Sequence, residues 1–289
     1  MTTIRPRRSV LYMPGSNARA LEKARSLPAD ALILDLEDAV APDAKDLARS
    51  QVCDAVKAKG FGKREVIVRV NGLSTPWGEH DLKAAADARP DAILVPKIES
   101  ARELNTIEAM LGGADAAIAV WAMIETPRAI LNLAAIAAAG GRLACFVMGT
   151  NDLIKEVRGV HTQDRMNLAA ALGLSVLAAR ANGIAAIDGV YNDIQNADGF
   201  KATCTQARAF GFDGKTLIHP SQIEPCNAAF APSAEEVAAA RQLIAAFELP
   251  ENKGKGAIKV DGRMVELLHA EIARGTVAMA DAIAALEAA

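Results

Sequence analysis

The sequence predicts an α/β protein built around a (β/α)8 barrel of the TIM type. Eight short apolar segments alternate with helical patterns over about 220 residues, close to the length that this fold needs. Most of these segments are continuously apolar, as expected for parallel strands that are covered on both faces. A doubly wound sheet is the alternative, but eight consecutive units without a Gly-x-Gly-x-x-Gly motif make it the weaker interpretation.

The expected strands share a short length and an apolar composition, and each precedes a helical pattern or a turn. They are Ser9–Met13, Ala31–Leu36, Glu65–Val70, Ala92–Val95, Ala117–Ile124, Leu143–Met148, Ile184–Ile187 and Thr216–Ile218.

The helices between them carry their own boundary signals. The segment 41–60 has Pro42 and Asp43 near its start and Gly60 at its end, the usual polarity of helix signals. The segments SARELNTIEAML and RMNLAAALGLSVLAARANG also end at glycine-containing turns. These signals support the alternation of strand and helix on which the barrel prediction depends.

The pattern changes after His219-Pro220, so we assign residues 1–222 to the barrel and 223–289 to a C-terminal extension. Ser233 and Glu236 resemble a capping box that opens a helix. A segment rich in Lys and Gly, two short strands and a last helix follow. We expect this helical and hairpin extension to act as a lid on its own or a neighbouring subunit.

Composition excludes several classes of function. The net charge of −3 gives no basic excess for nucleic acid, and no apolar stretch is long and uninterrupted enough to span a membrane. The four cysteines show neither Cys-x-x-Cys pairs nor zinc spacing. These features predict a reduced, soluble, cytoplasmic protein.

Polar residues end nearly every predicted strand, and in such barrels the chemistry lies at the carboxyl ends of the strands. Arg69 ends the third strand, Glu125 follows the fifth, and Asp152 follows the sixth. Glu37 and Asp38 follow the second strand in the motif DLED. We therefore expect these five side chains to lie on one rim.

Glu125 and Asp152 are the candidate metal ligands. Mg²⁺ typically takes one or two carboxylates and completes its coordination with water and substrate oxygens. The sequence holds no His or Cys cluster, which argues against zinc. The alternative is that Glu125 and Asp152 only cap the helices that follow them.

Arg69 is the candidate ligand for a substrate carboxylate, because arginine binds carboxylates bidentately. Its alternative role is a structural ion pair with Glu37 or Asp38. These two acids either hold metal-bound waters from outside the coordination sphere or cap the next helix. Lys97 fits an ion pair on the rim and a ligand contact equally well.

The ordered motifs resemble those of the citrate lyase β-subunit-like family of CoA-ester lyases, which includes malyl-CoA and citramalyl-CoA lyases and a malyl-CoA thioesterase. The resemblance runs from Arg8 to about Gln222 and continues into the extension. The motifs that carry it are RSVLYMPGSNARALEKA, DALILDLEDAV, VIVRVNG, ILVPKIES, MIETPRAI, FVMGTNDL, AIDGVYND, GFDGKTLIHPSQ and KGKGAIKVDGRMVE.

The resemblance implies a (β/α)8 barrel with Mg²⁺ held by Glu125 and Asp152. It implies that Arg69 and Glu125 contact the substrate, a CoA thioester that is cleaved to, or formed from, a 2-oxo acid. It further implies homotrimers or hexamers in which the C-terminal segment of one subunit closes the site of its neighbour.

One position departs from the family pattern. The lyases carry an aspartate after a segment like DGRMV, where it acts in proton transfer at the neighbouring site, and this chain has Glu266. Glutamate keeps the carboxylate but adds a methylene, and a displacement of about 1 Å can cost about a hundredfold in rate. The resemblance thus implies a catalytic role for Glu266 and Arg69 but leaves the reaction open.

Three functions follow, in order of preference. The first is a Mg²⁺-dependent carbon–carbon lyase acting on malyl-CoA or citramalyl-CoA, with acetyl-CoA plus glyoxylate or pyruvate as products. The second is a malyl-CoA thioesterase that releases malate and free CoA. The third is a β-like subunit of a citrate lyase complex.

Overall fold

A closed barrel of eight parallel strands forms the centre of the protein in a computed structural model, which describes residues 4–260 and 262–288. Each strand pairs with the next along the chain, and β8 closes the ring against β1. This confirms the predicted fold class. The strands are β1 (Ser9–Pro14), β2 (Ala31–Asp35), β3 (Glu65–Arg69), β4 (Ala92–Val95), β5 (Ala119–Ile124), β6 (Leu143–Met148), β7 (Ala185–Asp188) and β8 (Gly214–Leu217).

The strands are continuously apolar because both of their faces are buried. Alternate residues such as Ile33, Ile67 and Trp121 fill the barrel interior. The residues between them, such as Leu32 and Leu34, pack in the layer with the helices. This double burial explains why alternation is absent from the sequence pattern.

Ten α-helices belong to the barrel unit, which runs from Arg7 to Phe230 among the described residues. They are α1 (Ala18–Ala24), α2 (Lys45–Ala58), α3 (Gly78–Ala88), α4 (Ala101–Met110), α5 (Pro127–Leu131), α6 (Leu133–Ala137), α7 (Thr150–Glu156), α8 (Ala169–Ala181), α9 (Ala197–Phe210) and α10 (Ile223–Phe230).

Helix α10 contacts α9, β1 and β8, so its packing places it with the barrel rather than with the extension to which the sequence analysis assigned residues after 222. Its buried residues Ile223, Cys226 and Phe230 join the main core. The boundary in the structure therefore lies after Phe230.

Among the described residues, the second unit comprises residues 231–260 and 262–288 together with residues 4–6. It contains α11 (Ala234–Glu248), the antiparallel pair β9 (Ala257–Val260) and β10 (Arg263–Glu266), and α12 (Leu267–Glu287). Ser233 forms the predicted capping box with Glu236. Phe247, Ile258 and Ala270 form a small core, so the helical and hairpin extension is present; Asp261, part of its quoted motif, lies outside the described residues.

Across residues 4–260 and 262–288, none of the helices combines the length and the apolar character needed to cross a bilayer.

Candidate active site

The carboxyl ends of β2, β3, β5 and β6 bring the predicted side chains to one rim. Asp35 and Arg69 are the last residues of β2 and β3 and are paired in register. Glu125 follows β5 directly, and Asp152 lies in the first turn of α7 after β6. Because all eight strands run parallel, their ends place these groups around one mouth.

Arg69 is buried and held mainly by Asp35. Its Nε and Nη2 donate to the two carboxylate oxygens of Asp35 at 2.6 and 2.7 Å. Its Nη1 lies 2.8 Å from Oε2 of Glu37 and 3.6 Å from Oδ2 of Asp38. Burial alone would lower the pKa of Arg69, but Asp35 and its other anionic neighbours raise it well above its ordinary value. Arg69 therefore stays charged.

Asp35 is fixed by further bonds. Its two carboxylate oxygens accept hydrogen bonds from the backbone N–H groups of Glu37 and Ala39 at 2.9 and 3.1 Å. The Asp35–Arg69 pair is thus a rigid part of the rim. Sequence reasoning noted the acids of the DLED motif but missed that Asp35, the strand residue, is the one that binds Arg69 bidentately.

Glu37 is a largely buried acid with incomplete hydrogen bonding. Its Oε2 lies within ion-pair distance of Arg69 Nη1, but the angle gives no hydrogen bond, so this buried oxygen has no hydrogen-bond partner among the described residues. Burial raises the pKa of Glu37 to about 8, against the opposing effect of Arg69 and with the help of Asp38 and Glu125. Glu37 can therefore hold a proton near neutral pH.

Glu125 is only 2% exposed. Its Oε1 accepts a hydrogen bond of 2.8 Å from the backbone N–H of Lys97. Burial first, and then the nearby negative charge of Asp152, raise the pKa of Glu125 to about 7. A Cβ atom at Gly149 would collide with this carboxylate, which explains why glycine separates β6 from α7.

Lys97 supplies the positive charge beside these acids. Its Nζ lies 3.8 Å from Oδ1 of Asp152, and its side chain is 55% exposed. Burial would lower the pKa of Lys97, but Asp152 and Glu125 raise it. Of the two roles expected for Lys97, the structure shows the ion pair on the rim.

A cavity of about 310 Å³ opens between these strand ends. Arg69, Asp38 and Asp152 line it. Glu125 and Glu37 do not line it, but Glu125 lies against the lining residue Gly149 and Glu37 lies against Arg69. Tyr12 also lines it and was missed by sequence reasoning. The available signal was its position two residues after the interior residue Val10, which directs both side chains to the same face of β1.

Glu266 lies in the second unit. It ends β10 and precedes α12, its side chain is exposed, and its backbone N–H donates to Nδ1 of His269 at 3.0 Å. Its side chain accepts a bond from the backbone of His269 in a capping arrangement. Within its own unit, Glu266 thus caps a helix.

The donor chemistry of the rim fits a hard divalent cation. In the part of the chain that the structure describes, no group of three His, Cys, Asp or Glu side chains converges for metal binding. The pair Glu125 and Asp152 remains, and the negative charge of Asp152 is close enough to raise the pKa of Glu125. Two carboxylates with space for water and substrate match the usual Mg²⁺ site.

Comparison with known proteins identifies the family. Residues 8–220 match the model of the HpcH/HpaI aldolase/citrate lyase family. The chain belongs to this family. The resemblance expected from the motifs is therefore confirmed.

Two similar proteins are named for different activities. A (3S)-malyl-CoA thioesterase of Cereibacter sphaeroides is 51% identical over 98% of both chains. The citrate lyase subunit beta of Leuconostoc mesenteroides subsp. cremoris is 34% identical over 92% of this chain and 90% of its own. Both relatives align with nearly the whole chain. Of the two, the thioesterase has the higher sequence identity to this chain.

Solved structures of this family include the protein CitE from Mycobacterium tuberculosis in complex with magnesium, acetoacetate and coenzyme A. It superimposes with a TM-score of 0.76 at 29% identity, over 96% of this chain and 98% of its own. The same protein has also been solved with oxaloacetate and magnesium. That relative therefore binds the classes of ligand expected from the donor groups described above.

Proposed function

We propose that this protein is a Mg²⁺-dependent thioesterase that hydrolyses malyl-CoA to malate and free CoA. The 51% identity to a (3S)-malyl-CoA thioesterase along almost all of both chains carries this proposal. The rim of carboxylates around one buried arginine supports it, since such a site suits a substrate with a carboxylate at the end opposite the thioester. This reverses the order of preference given by the sequence alone.

Glu125 and Asp152 would hold the Mg²⁺ ion, and Glu125 would thereby also contact the substrate. When bound, Mg²⁺ acts as a Lewis acid that offsets negative charge on the substrate oxygens. Arg69, held rigid by Asp35, binds the terminal carboxylate. Glu37 and Asp38 would hold water beside the ion from outside its ligands, and the raised pKa of Glu37 lets this acid keep a proton near neutral pH.

Glu266 is the proposed base that activates the attacking water. The oxygen of this water adds to the thioester carbonyl, the C–S bond breaks, and the departing thiolate takes up a proton. We propose that the extension acts as a lid and that Glu266 comes from a neighbouring subunit of a homotrimer or hexamer. The exposed position of Glu266 at a helix start leaves its carboxylate accessible for such a role.

Carbon–carbon lyase activity is the second candidate, favoured by the 34% identity to citrate lyase subunit beta. The same rim would bind malyl-CoA or citramalyl-CoA, and a general acid would protonate the carbon of the acetyl-CoA enolate after cleavage. The 2-oxo acid product would keep its carboxylate on Arg69. Membership of a larger citrate lyase complex would instead require partner subunits for any turnover.

Analysis of the products separates these candidates. We expect purified protein, malyl-CoA and Mg²⁺ to give malate and free CoA, with turnover lost in EDTA. Acetyl-CoA with glyoxylate in equal amounts would overturn the thioesterase in favour of the lyase. No turnover of malyl-CoA by the chain alone, despite measured Mg²⁺ binding, would support a complex-dependent subunit.

The raised pKa values of Glu125 and Glu37 predict how stability depends on pH and Mg²⁺. Without metal, the folded state binds these protons more tightly than the unfolded chain, so their contribution to stability is present below about pH 4.5 and is lost as pH rises through about 7 and 8. Mg²⁺ binds the ionised acids. We therefore expect Mg²⁺ to raise the melting temperature more at pH 8 than at pH 6.

Thermal melts with and without Mg²⁺ at the two pH values check this. In Glu125→Gln the Mg²⁺-induced shift should be nearly lost at both pH values, because this substitution removes a proposed metal ligand. An equal Mg²⁺-induced shift at pH 6 and pH 8 in the unsubstituted protein would contradict the prediction.

A further inference from the structure

Arg69 alone offers an incomplete set of donors to a substrate carboxylate. A guanidinium has five N–H donors. The Nε donor and one Nη2 donor already form hydrogen bonds with Asp35. Of the rest, Nη1 already lies 2.8 Å from Glu37 Oε2 and 3.8 Å from Met123 Sδ. A substrate carboxylate must therefore share a fork that other acceptors already crowd.

The local charge balance adds to this problem. Arg69 is one cation with three acids within ion-pair distance, Asp35, Glu37 and Asp38. A further carboxylate at this place is repelled unless other groups stabilise it. A neutral hydrogen-bond donor is the most favourable additional group at this place, because it can bind the substrate carboxylate without adding another charge to the site.

Tyr12 supplies such a donor. Its ring lies 4.7 Å from the guanidinium carbon of Arg69, and its side chain lines the same cavity. None of the described residues forms a hydrogen bond with its hydroxyl, whereas the Thr216 hydroxyl in this cavity already donates to the Asp188 carbonyl at 3.0 Å. Burial, aided by Asp35 against the opposing Arg69, raises the pKa of Tyr12, so the hydroxyl keeps its proton.

We propose that Tyr12 is a substrate-binding residue whose hydroxyl donates a hydrogen bond to the acyl carboxylate that Arg69 binds. The ring stacks on the guanidinium and keeps it in place, while the hydroxyl completes the donor set. This rests on the proposed function, since it assigns the residue that recognises the terminal carboxylate of the substrate. It also makes Tyr12 a determinant of specificity for acyl groups that end in a carboxylate.

The test compares Tyr12→Phe with the unsubstituted protein. This change removes the hydroxyl and keeps the ring on Arg69. A hydrogen bond to a charged group predicts L-malate binding weakened by about 10- to 100-fold in the presence of Mg²⁺, measured by calorimetry. We expect kcat/KM for malyl-CoA to fall by a similar factor.

Tyr191→Phe is the matched control, because Tyr191 is the only other tyrosine of the sequence and does not line this cavity. It should leave malate binding unchanged. A second comparison uses 3-hydroxybutyryl-CoA, in which a methyl group replaces the carboxylate of the malyl group. Tyr12→Phe should reduce the preference of the enzyme for malyl-CoA over this thioester.

The outcomes distinguish this proposal from the proposed function. If the unsubstituted protein hydrolyses malyl-CoA but Tyr12→Phe binds malate equally well, the role of Tyr12 is overturned and the thioesterase stands. If the protein does not hydrolyse malyl-CoA but Tyr12→Phe weakens malate binding selectively, the carboxylate donor stands without that function. A matching loss in Tyr191→Phe would show a non-specific effect and overturn the assignment.

Discussion

Replacing Glu125 by glutamine is expected to weaken Mg²⁺ binding by about 100-fold or more and to remove nearly all turnover of malyl-CoA. Glutamine has the same shape and can still accept the hydrogen bond from the Lys97 backbone. It lacks the negative charge that a divalent cation requires at a two-carboxylate site. Calorimetry with Mg²⁺ and a turnover assay measure the two losses separately.

Glu99→Gln is the control for this substitution. Glu99 pairs with the exposed Arg128 at 3.4 Å, a type of contact that contributes little to stability. This variant should keep both Mg²⁺ affinity and activity. Unchanged Mg²⁺ affinity in Glu125→Gln would show that Glu125 is a structural acid and would remove the metal site from this rim.

The sequence was sufficient to predict the barrel and the grouping of its candidate site residues on one rim. Each strand is buried on both faces, so its composition reveals a parallel sheet, and the parallel order places every strand end on one side. Arg69, Glu125 and Asp152 could therefore be grouped although they lie far apart in the chain. Their roles as ligands stay predictions, because position on a rim does not by itself distinguish a ligand from an ion pair.

The arrangement of partners on the rim could not be predicted in the same way. Arg69 has three acids within ion-pair distance, and which of them binds it bidentately depends on strand register and side-chain rotamers. The strand register places Asp35 directly beside Arg69, so Asp35 is the acid that binds it bidentately. Tyr12 was missed for a similar reason, since an aromatic residue in an apolar strand most often belongs to the core.

The end of the barrel shows a different limit of sequence reasoning. A change of pattern after His219-Pro220 suggested a boundary at 222, but α10 packs its apolar residues against β1 and β8. Sequence pattern reports local periodicity, whereas a domain boundary depends on which surfaces a helix covers. The same distinction applies to Glu266, whose proposed role depends on a neighbouring subunit.

Mixing two inactive variants is expected to restore activity if Glu266 acts across subunits. Glu266→Gln lacks the proposed base, and Arg69→Ala lacks the guanidinium that binds the carboxylate, so each homo-oligomer should lose at least about 100-fold in kcat/KM. Random mixing in equal amounts gives about a quarter of the sites an intact Arg69 from one chain and an intact Glu266 from its neighbour. Recovery near a quarter of the original rate therefore indicates a shared site.

The control mixes the Arg69→Ala and Glu125→Gln chains. Both substitutions lie on the rim of the same barrel. Every barrel in this mixture therefore lacks either Arg69 or Glu125, and mixing cannot restore a complete site. Absence of recovery in this control and recovery in the first mixture would assign Glu266 to the neighbouring subunit's site. If Glu266→Gln alone keeps its activity, the base lies elsewhere, and the polar groups around Glu37, with its pKa of about 8, become the place to search for it.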